Sequence, residues 1–370
     1  VNGIVATPVN DSYSAASGGT VYGGITSPLP AWRAGAVVDQ WFQISGTVHA
    51  GSPADPTDDV LDDFCRSNRR LSFSNIAIAG TELVLAACGG HGDYSGNEVT
   101  GIDLSADAPA WALRLARTAS VTADVAYYGD GRPSARHLYW SAQYSSTRSR
   151  LMLHYSRFVY GTAVSFADSN GFNLATNAWD ADNTWSDGNS AMCQDNNGDC
   201  WGGYGSTSLK KWTASTDTWA TTGTFGNNIS GPMVFDASRS QLFSLSWGDG
   251  QGGGSGVNAY KYNAAGTTQT AITFNASSAY TQFQADTPAN ASLVYEPDLD
   301  RFLFWDGLTG RLYSVAPNSG TTWDMSIVTA TGSTPPAAVY SFGRLAYVPA
   351  LKGCVAMPAG HRNLYFIRTA

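Results

Sequence analysis

Charge is scarce in this chain. Only 14% of its 370 residues are Asp, Glu, Lys or Arg, and the 21 basic residues are scattered along it. A nucleic-acid surface gathers Lys and Arg to neutralise phosphates, so that class of partner is not expected. The net charge of −8 needs no reading beyond solubility. Long apolar runs are missing too. A membrane-spanning helix needs about 18 or more such residues in a row, and no stretch supplies them; membrane insertion is not expected. Cysteine is sparse, with Cys65, Cys88, Cys193, Cys200 and Cys354 as the full set. Their spacing matches no zinc pattern. A Gly-x-Ser-x-Gly nucleophile elbow is absent. Neither a metal nor a cofactor is called for.

What the chain has is repetition. Residues 71–111 read as three short strands followed by Trp111, which opens a fourth. The runs LSFSNIAIA, ELVLAAC and EVTGIDL are rich in β-branched residues and bounded by Gly, Asn, Asp or Ser, as strands are. None has the length or 3.6-residue spacing of an amphipathic helix. The pattern returns at 136–179, 189–219, 231–270, 291–323 and 342–370. Trp179, Trp219 and Trp323 end three of these copies. Four-stranded units at a period of about 40–60 residues are a β-propeller signature. One such unit cannot bury both faces of its sheet, so the units must stack around an axis.

The last copy runs out of chain after three strands. Residues 39–47 offer a spare strand with Trp41 where the other copies carry Trp. These residues are expected to complete the last blade and so tie the two ends of the fold together, leaving no open sheet edge. The expected fold is therefore all-β: a six-bladed propeller over 37–370, preceded by an extended arm at 1–36. The count becomes seven if 117–130 hide a degenerate unit.

Several segments stand outside this repeat or carry chemistry within it. The polar start, 1–30, is suited to assembly on a neighbouring subunit or to lying as a plain tail. It shows no basic-plus-apolar leader, which leaves a secretory route open. Residues 50–70 hold five Asp but lack the sharp Gly turn of a calcium loop. DNNGD at 195–199 is better explained as an Asn-Gly hairpin turn. Cys193 and Cys200 flank that turn, and a disulfide between them and a pair of buried thiols stay equally open. The Gly-rich run 248–256 reads as a flexible loop.

In a propeller, the loop between strands two and three of a blade opens on the same face as the link to the next blade. That rule gathers His91, Asp93, Tyr94 and Asn97 from blade I. It adds Arg132, Arg136, His137 and Tyr139 from the entry to blade II, and Arg157 and Tyr160 from blade II. Blade VI contributes Arg344, His361 and Arg362. Two chemistries suit this set. Arg forks can hold a sugar carboxylate while His91, His137 or Tyr94 removes the adjacent proton, giving β-elimination. Asp93, Asn97, Arg136, Tyr139, Arg157, Arg344 and His361 would then bind substrate. The alternative is that these groups lock loops and blades to one another.

Gly89-Gly90 after the second strand of blade I, and the Trp endings, make residues 39–370 resemble kelch-type β-propellers. The Gly pair is lost in four of the six copies and returns at Gly202-Gly203. The segments GGHGDYSGNEV and GRPSARHLY also resemble bacterial and phage-encoded kelch-like proteins. Propeller polysaccharide lyases, which use His, Tyr and Arg, are a looser likeness. The resemblance implies a fold and no particular activity. The function expected is a binding or structural module, extracellular or on a phage virion, presenting one face to a glycan or a protein neighbour. A lyase on acidic polysaccharide is the competing class.

Overall fold

The protein is described here by a computed structural model, covering residues 29–49, 71, 73–89, 94–154, 159–161, 169–180, 191–203, 205–250, 253–338 and 340–370. Among these residues the strands fall into six sheets, each built on four antiparallel strands. Blade I comprises Ala77–Ala79, Glu82–Ala86, Val99–Asp103 and Trp111–Leu115. Blade II comprises Ala142–Ser145, Arg150–Leu153, Asn170–Asn173 and Ala178–Trp179. Blade III comprises Ala191–Gln194, Cys200–Gly202, Ser208–Thr213 and Thr218–Thr224, and blade IV Met233–Asp236, Gln241–Trp247, Val257–Tyr262 and Gln269–Ala271. Blade V runs through Ser292–Glu296, Arg301–Asp306, Arg311–Ala316 and Thr322–Ile327, with Thr273–Phe274 added in parallel on its rim. Blade VI has Leu345–Val348, Gly353–Ala356 and Leu364–Arg368.

The missing strand of blade VI is Gln40–Ile44. It pairs antiparallel with Leu364–Arg368, placing Trp41 opposite Ile367 and Ile44 opposite Leu364. Thr331–Gly332 then lies parallel on its outer edge. The innermost strand of each blade touches that of the next, from blade I round to blade VI and back to blade I. The ring is closed as the sequence implied. Residues 117–130 add no sheet, so there are six blades and not seven.

Burial explains the strand sequences. The second strand of a blade is sandwiched between neighbouring blades, so it is apolar on both faces: Leu83, Val84, Leu85 and Ala86 are all buried, as are Leu303, Phe304 and Trp305. Outer strands meet water, and Thr218–Thr224 is largely polar. Trp111, Trp179, Trp219, Trp323 and Trp41 all sit on outer strands. Three of these strands share a turn. Asn177, Asp217 and Asp39, each two residues ahead of the Trp, take left-handed φ of 54°, 59° and 54°. Asn and Asp are among the few side chains that tolerate this region.

Polar hooks on the far face join one blade to the next. Thr147 Oγ1 donates to Asn197 O at 2.9 Å, Arg239 Nη2 to Asp300 Oδ2 at 2.6 Å and Tyr347 Oη to Asp298 Oδ2 at 2.7 Å. The seam between first and last blades has its own clamp, the short helix Ala31–Ala34. Trp32 packs edge-on to Phe366 at 5.2 Å and donates its indole N–H to Ala106 O, while Arg33 Nε donates to Leu351 O at 2.7 Å.

The Cys193–Cys200 disulfide is not formed. Cys193 stands opposite Trp201 in the ladder and Cys200 opposite Gln194. Adjacent residues on a strand point to opposite faces, so the two thiols project apart. Cys193 packs with Trp201 and Met233, Cys200 with Met152 and Trp212, and both are free and buried. DNNGD is a tight turn, with Gly198 at φ +80° and Asp195 Oδ1 accepting from the amides of Asn197 and Asp199.

Candidate functional site

The entries to blades I, II and VI converge at the mouth of the central axis, and backbone does most of the joining. Tyr139 N donates to Phe73 O at 2.6 Å, Arg136 N to Ala87 O at 2.8 Å, and Ile76 N to Gly343 O at 3.3 Å. Asn75 clamps Ala142 from both sides, donating Nδ2–H to its carbonyl at 2.8 Å and accepting its amide on Oδ1 at 3.1 Å.

Aromatic rings fill the space these links enclose. Phe73 is the hub, with His137 stacked at 4.4 Å, Tyr340 at 4.5 Å, Phe342 at 5.8 Å and Tyr139 at 5.9 Å. Trp140 reaches from blade II to the opposite side of the ring, where its indole N–H donates to Ala291 O at 2.9 Å, just before blade V. Trp140 and Phe342 are 2% and 0% exposed, so the mouth is stoppered.

The structure places the candidate residues as follows. Tyr94, Asn97, Arg136, His137, Tyr139 and Arg344 are all between 0% and 6% exposed. Arg136 donates through Nη2 to Ala126 O at 2.9 Å and lies 5.7 Å from the Tyr127 ring centre. Arg344 donates through Nη1 to Pro358 O at 3.1 Å and through Nη2 to Leu71 O and Tyr340 O. Burial pulls its pKa down to about 10, so it stays charged at neutral pH. A guanidinium is suited to splinting several carbonyls at once.

Asn97 donates to Pro133 O and Thr118 Oγ1 and accepts from Thr118 N, which uses both ends of its amide on the link into blade II. Tyr94 donates to the buried Glu98 at 2.7 Å. Only glycine fits between them: a Cβ on Gly96 would lie 2.3 Å from Glu98 Oε2 and 2.4 Å from the Tyr94 ring. Tyr128 completes this weld, its hydroxyl donating to Ser95 O at 2.7 Å, and burial pushes its pKa up to about 12.

Arg132 donates to Ala116 O from the surface, the Tyr160 backbone pairs with Asp124 and Ala135, and His361 is half-exposed in the blade VI loop. His91, Asp93 and Arg157 lie outside the described residues, as do residues 50–70. The loop at 248–256 is tied down at its described residues, with Asp249 N donating to Gly253 O and Asn290 N to Gly250 O, both at 2.8 Å.

Phe73, Trp140, Tyr340 and Phe342 were not among the expected site residues. A signal for three of them was present: Phe73-Ser74, Trp140-Ser141 and Tyr340-Ser341 repeat an aromatic–Ser pair just ahead of an innermost strand. The serines fasten the links, Ser141 Oγ to Leu138 O, Ser341 Oγ to Asn290 O, and Ser74 Oγ from Gly89 N.

Elsewhere, a shallow groove of about 560 Å³ follows the rim between blades I and II, lined by Glu82, Asp103, Leu113, Arg114 and Asn177. Arg114 grips both Glu82 carboxylate oxygens and reaches Leu174 O and Asn177 Oδ1, so it works as an inter-blade staple.

No protein-family description matches the chain, and no curated protein matches it. Solved structures do. A chain in "Crystal Structure of Mitotic Checkpoint Complex" is similar over 93% of this chain and 98% of its own, at 11% identity and a TM-score of 0.43. "Structure of YjhT" is similar over 79% and 92%, at 12% identity and a TM-score of 0.46.

Proposed function

We propose that this protein is a binding and structural module: a kelch-type propeller, extracellular or carried on a phage virion, that offers its stoppered face to a glycan or a protein neighbour. One observation carries the reading. The imidazole and guanidinium groups of His137, Arg136 and Arg344 are spent inside the face, stacked on Phe73 or bonded to backbone carbonyls. A general base for β-elimination must reach its proton directly or through one water, and His137 at 1% exposed is turned away from solvent. Among the described residues, this face turns Tyr340 outward, an aromatic ring that suits stacking on sugars or packing on a partner.

Binding of the full chain to immobilised neutral and acidic polysaccharides tests the glycan arm. Light scattering with and without residues 1–28 tests the assembly arm. Retention on at least one polysaccharide, or an oligomer that dissociates on truncation, is the expected result. A monomer that binds none of them would overturn the proposal. Absorbance at the unsaturated-uronate band should stay flat with acidic polysaccharides; a rise would return the lyase reading.

A further inference from the structure

An exposed ring on strained backbone calls for a reason. Tyr340 is 40% exposed, yet its φ is +58°. The left-handed region is costly for a bulky residue, and such strain persists only where the surroundings enforce it. Here they do. Buried Arg344 donates to Tyr340 O. Ser341 holds the next residue from both ends, donating Oγ–H to Asn290 O at 2.9 Å and accepting from Ser292 Oγ on its carbonyl at 2.7 Å. The ring leans on Phe73 at 4.5 Å and runs parallel to Phe342, 1° between planes at 6.5 Å. Phe73 is itself left-handed, at φ +53°, and backed by His137. Strain recovered by burial would need no further account. Tyr340 is instead left 40% exposed, fixed in place.

We propose that Tyr340 is the stacking platform for one pyranose ring of a neutral glycan, with Phe73, Phe342 and Arg344 as positioning residues. The inference rests on the glycan arm of the reading above. Size selects the occupant. An aromatic side chain offers about 150–250 Å², so 40% of it is about 60–100 Å². That matches one face of a sugar ring. Charge selects the sugar. Among the described residues, Arg344, the cation bonded to Tyr340 O, is turned inward onto the carbonyls of Leu71, Tyr340 and Pro358. An aromatic ring with a hydroxyl at its edge suits the axial C–H groups of an uncharged pyranose.

Saturation-transfer NMR with cellohexaose, mannohexaose, xylohexaose and chitohexaose at millimolar concentration tests this on the full chain, with Tyr340→Gly and Tyr340→Phe alongside. At least one oligosaccharide should bind, with saturation strongest on ring C–H protons. Tyr340→Gly should weaken it about tenfold, and Tyr340→Phe should keep it within about threefold. Glycine also relieves the strained φ, so Tyr340→Gly should melt no lower than the wild type, which separates lost binding from lost folding. An oligosaccharide that binds wild type and Tyr340→Gly alike would overturn the platform and leave a glycan-binding face standing. Binding of none of the four would overturn the platform as well; immobilised polysaccharides and light scattering then decide the broader reading separately.

Discussion

His154 should set the acid limit of this fold. The imidazole is fully buried between blades II and III, edge-on to Trp212 at 5.2 Å and to Trp219 at 5.3 Å. Nδ1 lies 3.4 Å from Ser169 Oγ, and Nε2 has no hydrogen-bond partner among the described residues. Burial lowers its pKa from 6.5 to about 3. The native state therefore keeps the ring neutral while the unfolded chain protonates it. Stability is full above pH 6.5 and drains as pH falls, until the folded ring titrates too. At pH 5, about one and a half units below the unfolded value, the loss is about 2 kcal/mol. The unfolding entropy of 370 residues is about 0.8 kcal/mol per degree, so this corresponds to about 2–3 °C. His154→Leu removes the titration and keeps the site filled. Scanning calorimetry of both proteins at pH 7 and pH 5 isolates the effect, because the remaining groups titrate in both. The wild type should lose about 2–3 °C more than the variant. Equal losses would show that the buried ring does not couple protonation to unfolding.

Three further outcomes follow from the geometry. Trp41→Ala empties a buried site in the closing strand and should cost about 3–5 kcal/mol, seen as a fall of several degrees in melting temperature; a change under a degree would mean closure does not hold the ring. Gly353→Ala should cost about 1–3 kcal/mol or more, because a Cβ there would lie 2.3 Å from the Phe366 ring and 2.4 Å from Ile367 O; unaltered urea unfolding would contradict it. Alkylation of denatured protein without reductant, followed by peptide mapping, should label Cys193 and Cys200 separately, and a crosslinked peptide would overturn their opposite-facing register.

Fold was legible where repetition met a physical requirement. Each copy had too little sheet to bury itself, so copies had to stack, and the last copy lacked a strand that Trp41 could supply. The ladder confirms that inference at Trp41 opposite Ile367. The Asn/Asp-x-Trp turns before Trp179, Trp219 and Trp41 were readable on the same principle, since Asn and Asp tolerate left-handed backbone. The disulfide question turned on something sequence does not carry. The bulge between Ala191 and Cys193 and the one-residue offset of the pairing decide which face each thiol takes, and a shift of one residue reverses the answer.

The face was legible only in part. Chain order correctly predicts that the entries to blades I, II and VI meet, because propeller topology dictates it. It cannot predict which side chains of those links turn inward. His137 lies stacked beneath Phe73, while Tyr340 stays at the surface. The difference is made by left-handed residues at Phe73, Tyr139 and Tyr340, none of a type that favours that region. Their conformation is held by contacts such as Tyr139 N on Phe73 O, across the entries to blades I and II, and Arg344 on Tyr340 O, within the entry to blade VI. Titratable residues stand out in a sequence because acid–base chemistry needs them. Yet a closed propeller must also splint its links, and buried guanidinium and amide groups do that by bonding carbonyls. The aromatic–Ser pairs ahead of the innermost strands are therefore the better sequence marker of this face, since they report which rings are fastened there.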